Sequence, residues 1–404
     1  MTVSEKTQPL GLYLHIPWCA RRCIYCDFNT YLDKDERLKE RYHAALLKEI
    51  SVTGTALGRP SLDTIFIGGG TPTTLAPAQL VELVEAVKAA FDLQSAAEVT
   101  VEANPGTVST AYLRKIRQGG INRLSLGIQS LHDDELRFLS RLHDAATARR
   151  AVEQARQAGF DNLNLDLMFN LPGQNPTQWH HNLTEAIKLA PEHFSLYALI
   201  VEPGTPLHRQ VNQGQVPEPD DEVAAEMYAA AIDLLGAAGY AHYEISNWAR
   251  DGGEPPWESP QLAAAHNLIY WRNQPYLGLG AGAFGTLHGQ RWMNVKRPQR
   301  YIERIKGGQG LGLARARESL ERIDRTTAMQ EHMLLGLRLV REGVSLATFE
   351  ARYGVSLTEI YPHAITAGLE RGLTEWVDAP DGRHLRLTQA GRFLANRAIV
   401  EFFA

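Results

Sequence analysis

Cys19, Cys23 and Cys26 are the only cysteines of the chain, and they stand in C-x3-C-x2-C spacing in one short stretch. An odd number of thiols cannot all pair within one chain, so this clustering points to a site rather than a disulfide framework. The segment follows an apolar run at Gly11 to Ile16, turns at Pro17, and brings three thiols onto one loop. Zinc usually takes four ligands arranged as two separated pairs, and no second pair exists here. His15 could complete a Cys3His zinc site, and free buried thiols are the plainest reading. Three thiolates also suit a 4Fe–4S cluster with three irons held by protein and one open to another ligand. All three readings stay open on spacing alone.

The elements that would position such a loop come next. Short β-rich runs at Gly11 to Ile16, Thr64 to Ile67, Glu98 to Glu102, Arg123 to Ile128, Leu163 to Phe169 and Phe194 to Ile200 alternate with helical patterns. The helices include Asp35 to Ser51, Pro77 to Ala90, Asp144 to Ala158 and Thr177 to Leu189, several opened by a capping Asp or Thr or an early Pro. Repeated β/α units predict a parallel sheet, doubly wound or curled into a full or partial barrel, with ligands at the carboxyl ends of the strands. Beyond Glu202 the texture changes: a helix from Asp220 to Ala238 leads into Gly-, Pro- and Trp-rich stretches, DGGEPPWESP and YLGLGAGAFG. A last strand-turn-strand is predicted around Thr374 to Leu387, turning at Ala379 to Gly382, in a winged-helix-like tail. The expected domains are 1–240, 241–315 and 316–404.

Composition narrows the partners. With 41 Lys and Arg against 46 Asp and Glu the chain carries a formal charge of −5, and basic and acidic groups nearly balance in the tail, so nucleic acid is not expected. No apolar run is long enough to span a bilayer, and the polar start MTVSEKTQPL differs from a secretory signal, which predicts a cytoplasmic protein.

Several polar residues fall at the predicted strand ends. Gly68, Gly69 and Gly70 precede Thr71 and Pro72, and such a run reads either as a tight turn or as backbone brought close to a ligand. Glu102 in VEANP, Gln129 in SLGIQS and Asp166 in NLNLDLMFNLP follow the same logic. A carboxylate within an apolar run costs several kcal/mol unless it is bonded, so each is a satisfied core group or a ligand contact. Arg141 alone would read as a surface charge.

The segment YLHIPWCARRCIYCDF, Tyr13 to Phe28, resembles the cluster loop of radical S-adenosylmethionine (SAM) proteins. Its HIP resembles the oxygen-independent coproporphyrinogen III oxidase-like branch, and Gly-Gly-Gly-Thr-Pro resembles the element that contacts the methionine amino group of SAM. The resemblance implies an α/β fold with a parallel-sheet partial (β/α)6 barrel, an extension, and a small C-terminal winged-helix-like α+β domain. It implies a 4Fe–4S cluster on Cys19, Cys23 and Cys26, with SAM chelating the open iron for one-electron cleavage of its sulfonium bond. The matching positions are Tyr13 and Tyr25 beside the cluster, and Gly69 and Glu102 around SAM. Gly70, Thr71, Gln129, Arg141 and Asp166 match positions around a second SAM.

Two activities occur in that branch. The dehydrogenase pattern continues C-x3-C-x2-C-x-C, whereas Asp27 and Phe28 follow Cys26 here, which puts coproporphyrinogen III dehydrogenase activity in doubt. HNLIYW, His266 to Trp271, resembles the HNxxYW signature of the heme-chaperone members. A lone His among aromatics is more often a hydrogen-bonded structural group. The resemblance makes His266 a heme ligand, and implies an electron donor and a heme-accepting partner, for example a respiratory enzyme at the membrane. A homodimer is compatible with it.

Overall fold

Each apolar run of the first half becomes a parallel strand because both of its faces are covered, which favours continuous Val, Ile and Leu over alternation. The computed structural model describes residues 8–307 and 315–403; the first residues of the polar start lie outside them. Strands β1 (Gly11–Ile16), β2 (Ser61–Gly69), β3 (Asp92–Ala103), β4 (Arg123–Gln129), β5 (Leu163–Phe169) and β6 (His193–Ala198) pair in chain order, all parallel. Helices α1 (Glu36–Ala56), α2 (Pro77–Ala90), α3 (Thr110–Gln118), α4 (Asp133–Phe138), α5 (Ala145–Gln157) and α6 (Pro176–Lys188) fall between them. This is the α/β partial barrel expected from the sequence. In the β1–β2 register Ile16 sits beside Gly69, so the cysteine loop and the glycine run leave the sheet side by side.

β1 and β5 match their expected bounds, while β2 and β3 start earlier. The first residues of β3, Asp92 to Ala96, are half-buried or exposed and polar-rich, so they carry no hydrophobic signal. α1 continues to Ala56, beyond the expected Ser51, from an N-cap at Asp35 whose carboxylate accepts from the Leu38 N–H. α6 begins with a reciprocal cap: Asn175 Oδ1 accepts from Gln178 N at 2.9 Å, and Gln178 Oε1 accepts from Asn175 N at 3.0 Å. Asn175→Ala is therefore expected to lower stability by about 1 kcal/mol in urea denaturation, with no change in the slope of the transition.

The expected three consecutive domains regroup into two interleaved compact units, 1–228 with 275–321, and 229–274 with 322–404. The reason in the first unit is pairing: Tyr276–Leu279 lies parallel to β1 on the edge opposite β2, followed by antiparallel Phe284–Leu287 and Gln290–Asn294. Gly278 permits this, since a Cβ there would meet the Phe284 carbonyl oxygen at 1.7 Å. Buried Glu49 of α1 accepts from Gly280 N at 2.8 Å, Tyr301 Oη at 2.6 Å and Asn294 Nδ2 at 3.0 Å, tying that extension down.

The second unit holds the hairpin Tyr240–Glu244 and Asn247–Arg250, the helix Ala265–Trp271, and the winged-helix-like tail. In that tail the helices Arg325–Gly336, Leu346–Tyr353 and Pro362–Glu370 precede the hairpin Thr374–Ala379 and Gly382–Leu387. Met333, Leu337, Phe349, Leu357, Leu385 and Phe402 form its core. Among the described residues no helix is long and apolar enough to cross a membrane.

Candidate functional site

The cysteine loop is clamped at both ends by backbone. Trp18–Cys19 pairs with Tyr31–Leu32, Tyr31 N donates to Pro17 O at 2.7 Å, and Asp33 N donates to Cys19 O at 2.9 Å. Gly70 N donates to Ile16 O and Thr71 N to Trp18 O, both at 2.8 Å, so the glycine turn and the loop share one stem. A Cβ at Gly70 would lie 2.6 Å from the Trp18 carbonyl oxygen, and Gly69 has φ +116° with no room beside the His15 ring. Only glycine allows that approach.

A cavity of about 320 Å³ opens at these strand ends. Of the sequence candidates it is lined by the three cysteines, Tyr25, Gly69, Gly70, Thr71, Glu102, Gln129, Arg141 and Asp166. Tyr13 is not among its lining residues: one step nearer the start of its face of β1, it bonds His15 Nδ1 through Oη at 2.9 Å and stacks near Phe66. Asn104, which is not among the sequence candidates, joins the site. Its Nδ2 donates to Thr71 Oγ1 at 2.8 Å and its Oδ1 accepts from Arg141 at 2.5 Å. Thr71 Oγ1 in turn lies 3.7 Å from Cys19 Sγ, and Arg141 lies 3.4 Å from Cys23 Sγ. One hydrogen-bonded chain thus runs from the first cysteine to the second. Arg141 also donates to Gly127 O at 2.6 Å, which holds it in the site instead of at the surface.

The donor set fits a cluster better than a single ion. All three cysteines are free and half-buried, and burial pushes the Cys19 thiol up to about 11 and raises Cys26 as well. His15 Nε2 is bonded to the Asn29 carbonyl at 3.1 Å and Nδ1 to Tyr13, so its ring is already engaged on both nitrogens. That removes the fourth ligand of the zinc reading. Among the described residues no group of three His, Cys, Asp or Glu side chains is placed to hold one metal ion. A 4Fe–4S cluster spreads its thiolates over separate irons and needs no such convergence.

The carboxylates beyond the loop are half-buried in the cavity wall. Glu102 Oε2 accepts from Gly69 N at 2.9 Å, and burial, against that hydrogen bond, pushes its pKa up to about 7. Asp166 accepts from Asn164 at 2.7 Å and Ser125 at 3.1 Å; burial also raises it. Gln129 has φ +63° at an irregularity in the β4–β5 register, the kind of backbone strain that concentrates at binding sites.

His266 lies in the other unit. It is 1% exposed on the helix Ala265–Trp271, with Nε2 bonded to Tyr270 Oη at 2.8 Å and the two rings edge-on.

Residues 13–186 match the Radical SAM superfamily and residues 323–394 the HemN C-terminal domain. The solved structure of the Escherichia coli coproporphyrinogen III oxidase HemN is similar in fold, with TM-score 0.80 at 22% identity over 98% of this chain and 90% of that one. The heme chaperone HemW of Bacillus subtilis is 38% identical across 96% of this chain and 98% of its own length. That of Mycobacterium tuberculosis (strain H37Rv) is 37% identical across 97% and 94%, and that of Escherichia coli 35% identical across 99% of both. Near-complete coverage at these identities, on a radical SAM core whose strand ends gather the three thiols and the glycine turn, makes this chain a member of the heme chaperone HemW family.

Proposed function

We propose that the protein binds heme and passes it to a heme-accepting protein, with a 4Fe–4S cluster and SAM held in the core cavity. Cys19, Cys23 and Cys26 would hold the cluster, the Gly68–Gly70 turn and Glu102 the amino-acid end of SAM, and Asn104 would keep Thr71 and Arg141 in place around them. When bound, the reduced cluster and SAM supply one-electron cleavage of a sulfonium bond, and the electron comes from a separate donor. The chain's own contribution is the hydrogen-bonded cavity, the fixed thiol spacing and a half-buried carboxyl able to meet an ammonium.

The observation that carries the chaperone reading over the dehydrogenase one is Phe28. It lines the cavity at the position of the fourth thiol in the dehydrogenase pattern, and it is 65% exposed. A phenyl ring offers no thiolate where the dehydrogenase pattern places its fourth cysteine. The reading places the protein in the cytoplasm, serving recipients that include membrane-bound respiratory enzymes, either as a monomer or as a homodimer. The test is anaerobic: reconstituted protein is loaded with heme, desalted and mixed with an apo-heme protein, and in parallel incubated with coproporphyrinogen III, SAM and reductant. Retained heme that moves to the acceptor is expected. Multiple turnovers of decarboxylated porphyrinogen, or no retained heme, would overturn the proposal.

A further inference from the structure

Asn29 follows Cys26 at the outgoing end of the cysteine loop, and it makes bonds that the backbone clamp of that loop does not include. Its side-chain Nδ2 donates to the Ala281 carbonyl at 3.0 Å and to the Lys296 carbonyl at 3.1 Å. Its own carbonyl accepts from His15 Nε2 at 3.1 Å. Two carbonyl oxygens meet the same end of the carboxamide, which fixes that end as the NH2 group. These acceptors lie 252 and 267 residues further along the chain, on the stretch that returns to the edge of β1, and belong to the same compact unit as Asn29.

That stretch is itself anchored. Ala281 N donates to Tyr42 Oη at 2.9 Å, Tyr42 Oη donates to the His15 carbonyl at 2.8 Å, and neighbouring Gly280 is tied to Glu49. Gly282, with φ +78°, leaves room for the carboxamide, since a Cβ there would lie 2.4 Å from Asn29 Nδ2. The loop's outgoing end is therefore fastened to a fixed element.

The place of this fastening bears on the thiols. The residue before Asn29 is Phe28, whose backbone N–H donates to the Cys26 sulfur, so holding Asn29 also holds the direction of that donor. Hydrogen bonds to cluster sulfurs favour the more negative, reduced state and so raise the reduction potential. On its other side, the His15 ring that donates to Asn29 fills the space beside Gly69, where a Cβ would come within 2.4 Å of it. One residue thus acts on the third cysteine through Phe28 and on the glycine turn through His15.

We propose that Asn29 is a positioning residue of the cluster site: its carboxamide latches the cysteine loop to the returning stretch and so keeps the Phe28 N–H on the Cys26 thiolate. The inference rests on the cluster reading above.

The test uses the full chain reconstituted without oxygen and reads the cluster itself. Wild type is expected to carry iron and sulfide. Asn29→Ala is expected to assemble the cluster but lose iron to a chelator about fivefold faster, the size that one net hydrogen bond supports. At a fixed potential its ratio of reduced to oxidised cluster, read by electron paramagnetic resonance, is expected to be lower by a similar factor. Asn29→Asp, which sets a carboxylate against two carbonyl oxygens, is expected to be worse than Asn29→Ala. Asn29→Ser is too short to reach either carbonyl and tests the latch should Asn29→Ala fail to fold. Urea denaturation of the metal-free proteins runs in parallel. Wild-type iron loss and potential in Asn29→Ala and Asn29→Ser would overturn the latch while leaving the cluster standing, whether or not the urea midpoint falls, and so would wild-type values in Asn29→Asp. A wild type that assembles no cluster would overturn both.

Discussion

Reconstituted without oxygen, Cys19→Ala, Cys23→Ala and Cys26→Ala should each retain less than about a tenth of the wild-type iron and sulfide, because losing a ligand costs more than the 10–100-fold typical of losing an outer-shell partner. The three thiols are the chain's whole supply, and no neighbouring cysteine can replace a lost one. His15 cannot step in while its ring is bonded to Tyr13 and Asn29. Any two of the substitutions combined should be no worse than one, since a cluster that is not assembled cannot be lost twice. The fold should persist: the cysteines are only half-buried and the loop is clamped by backbone bonds that alanine keeps, so urea midpoints of the metal-free proteins should move little. Assembly on the wild type should also be faster at higher pH, because the thiols whose pKa is raised by burial must deprotonate before they ligate. Iron and sulfide analysis with visible spectra decides it. Full iron and sulfide in any single variant, or one zinc per chain in the wild type, would refute the cluster.

What was legible in the sequence follows from how local the signals are. β5 can be read to the residue because LNLDLMF is apolar but for Asn164 and Asp166, and those two bond one another inside the sheet. The cysteine triplet and the glycine run are each a few adjacent residues, and parallel register does the work of bringing them together. Asn104 was hidden because its role lies in bonds to Thr71 and Arg141, neither of them a neighbour in sequence. YLGLGAGAFG reads from sequence as strands and loops extending the core, but that Tyr276–Leu279 returns to the edge of β1 is invisible for the same reason: its strand partner is far away in the chain. For His266 the sequence shows an aromatic context but not which nitrogen is engaged; the i, i+4 spacing to Tyr270 on a helix is the signal that could have raised the bond.

SAM should bind about tenfold more tightly at pH 7.5 than at pH 5.5, and Glu102→Gln should abolish that dependence while holding affinity near the low-pH value. The cause is the half-buried carboxyl: its pKa of about 7 comes first from loss of water, with the Gly69 N–H opposing and the charge of Asp166 adding to it. At pH 5.5 it keeps its proton and offers an ammonium no charge; by pH 7.5 it is mostly ionised, while an α-amino group is still largely protonated. Stability runs the other way. A carboxyl whose pKa is raised in the fold adds its full stabilisation below its unfolded value near 4.5 and loses it as pH rises through about 7. Without SAM, Glu102→Gln should therefore be more stable than wild type at pH 8, by on the order of 1 kcal/mol after solvent screening of the half-buried group, since glutamine can still accept the Gly69 N–H without a charge. A variant that gains stability and loses SAM affinity marks a group held in the site for its ligand at the expense of the fold. Calorimetric SAM titrations of the reconstituted protein at the two pH values, with urea denaturation at pH 8, separate this from a structural role. If Glu102→Gln were less stable than wild type at pH 8 and kept the pH dependence of SAM binding, Glu102 would be a core group and the SAM ammonium would sit elsewhere.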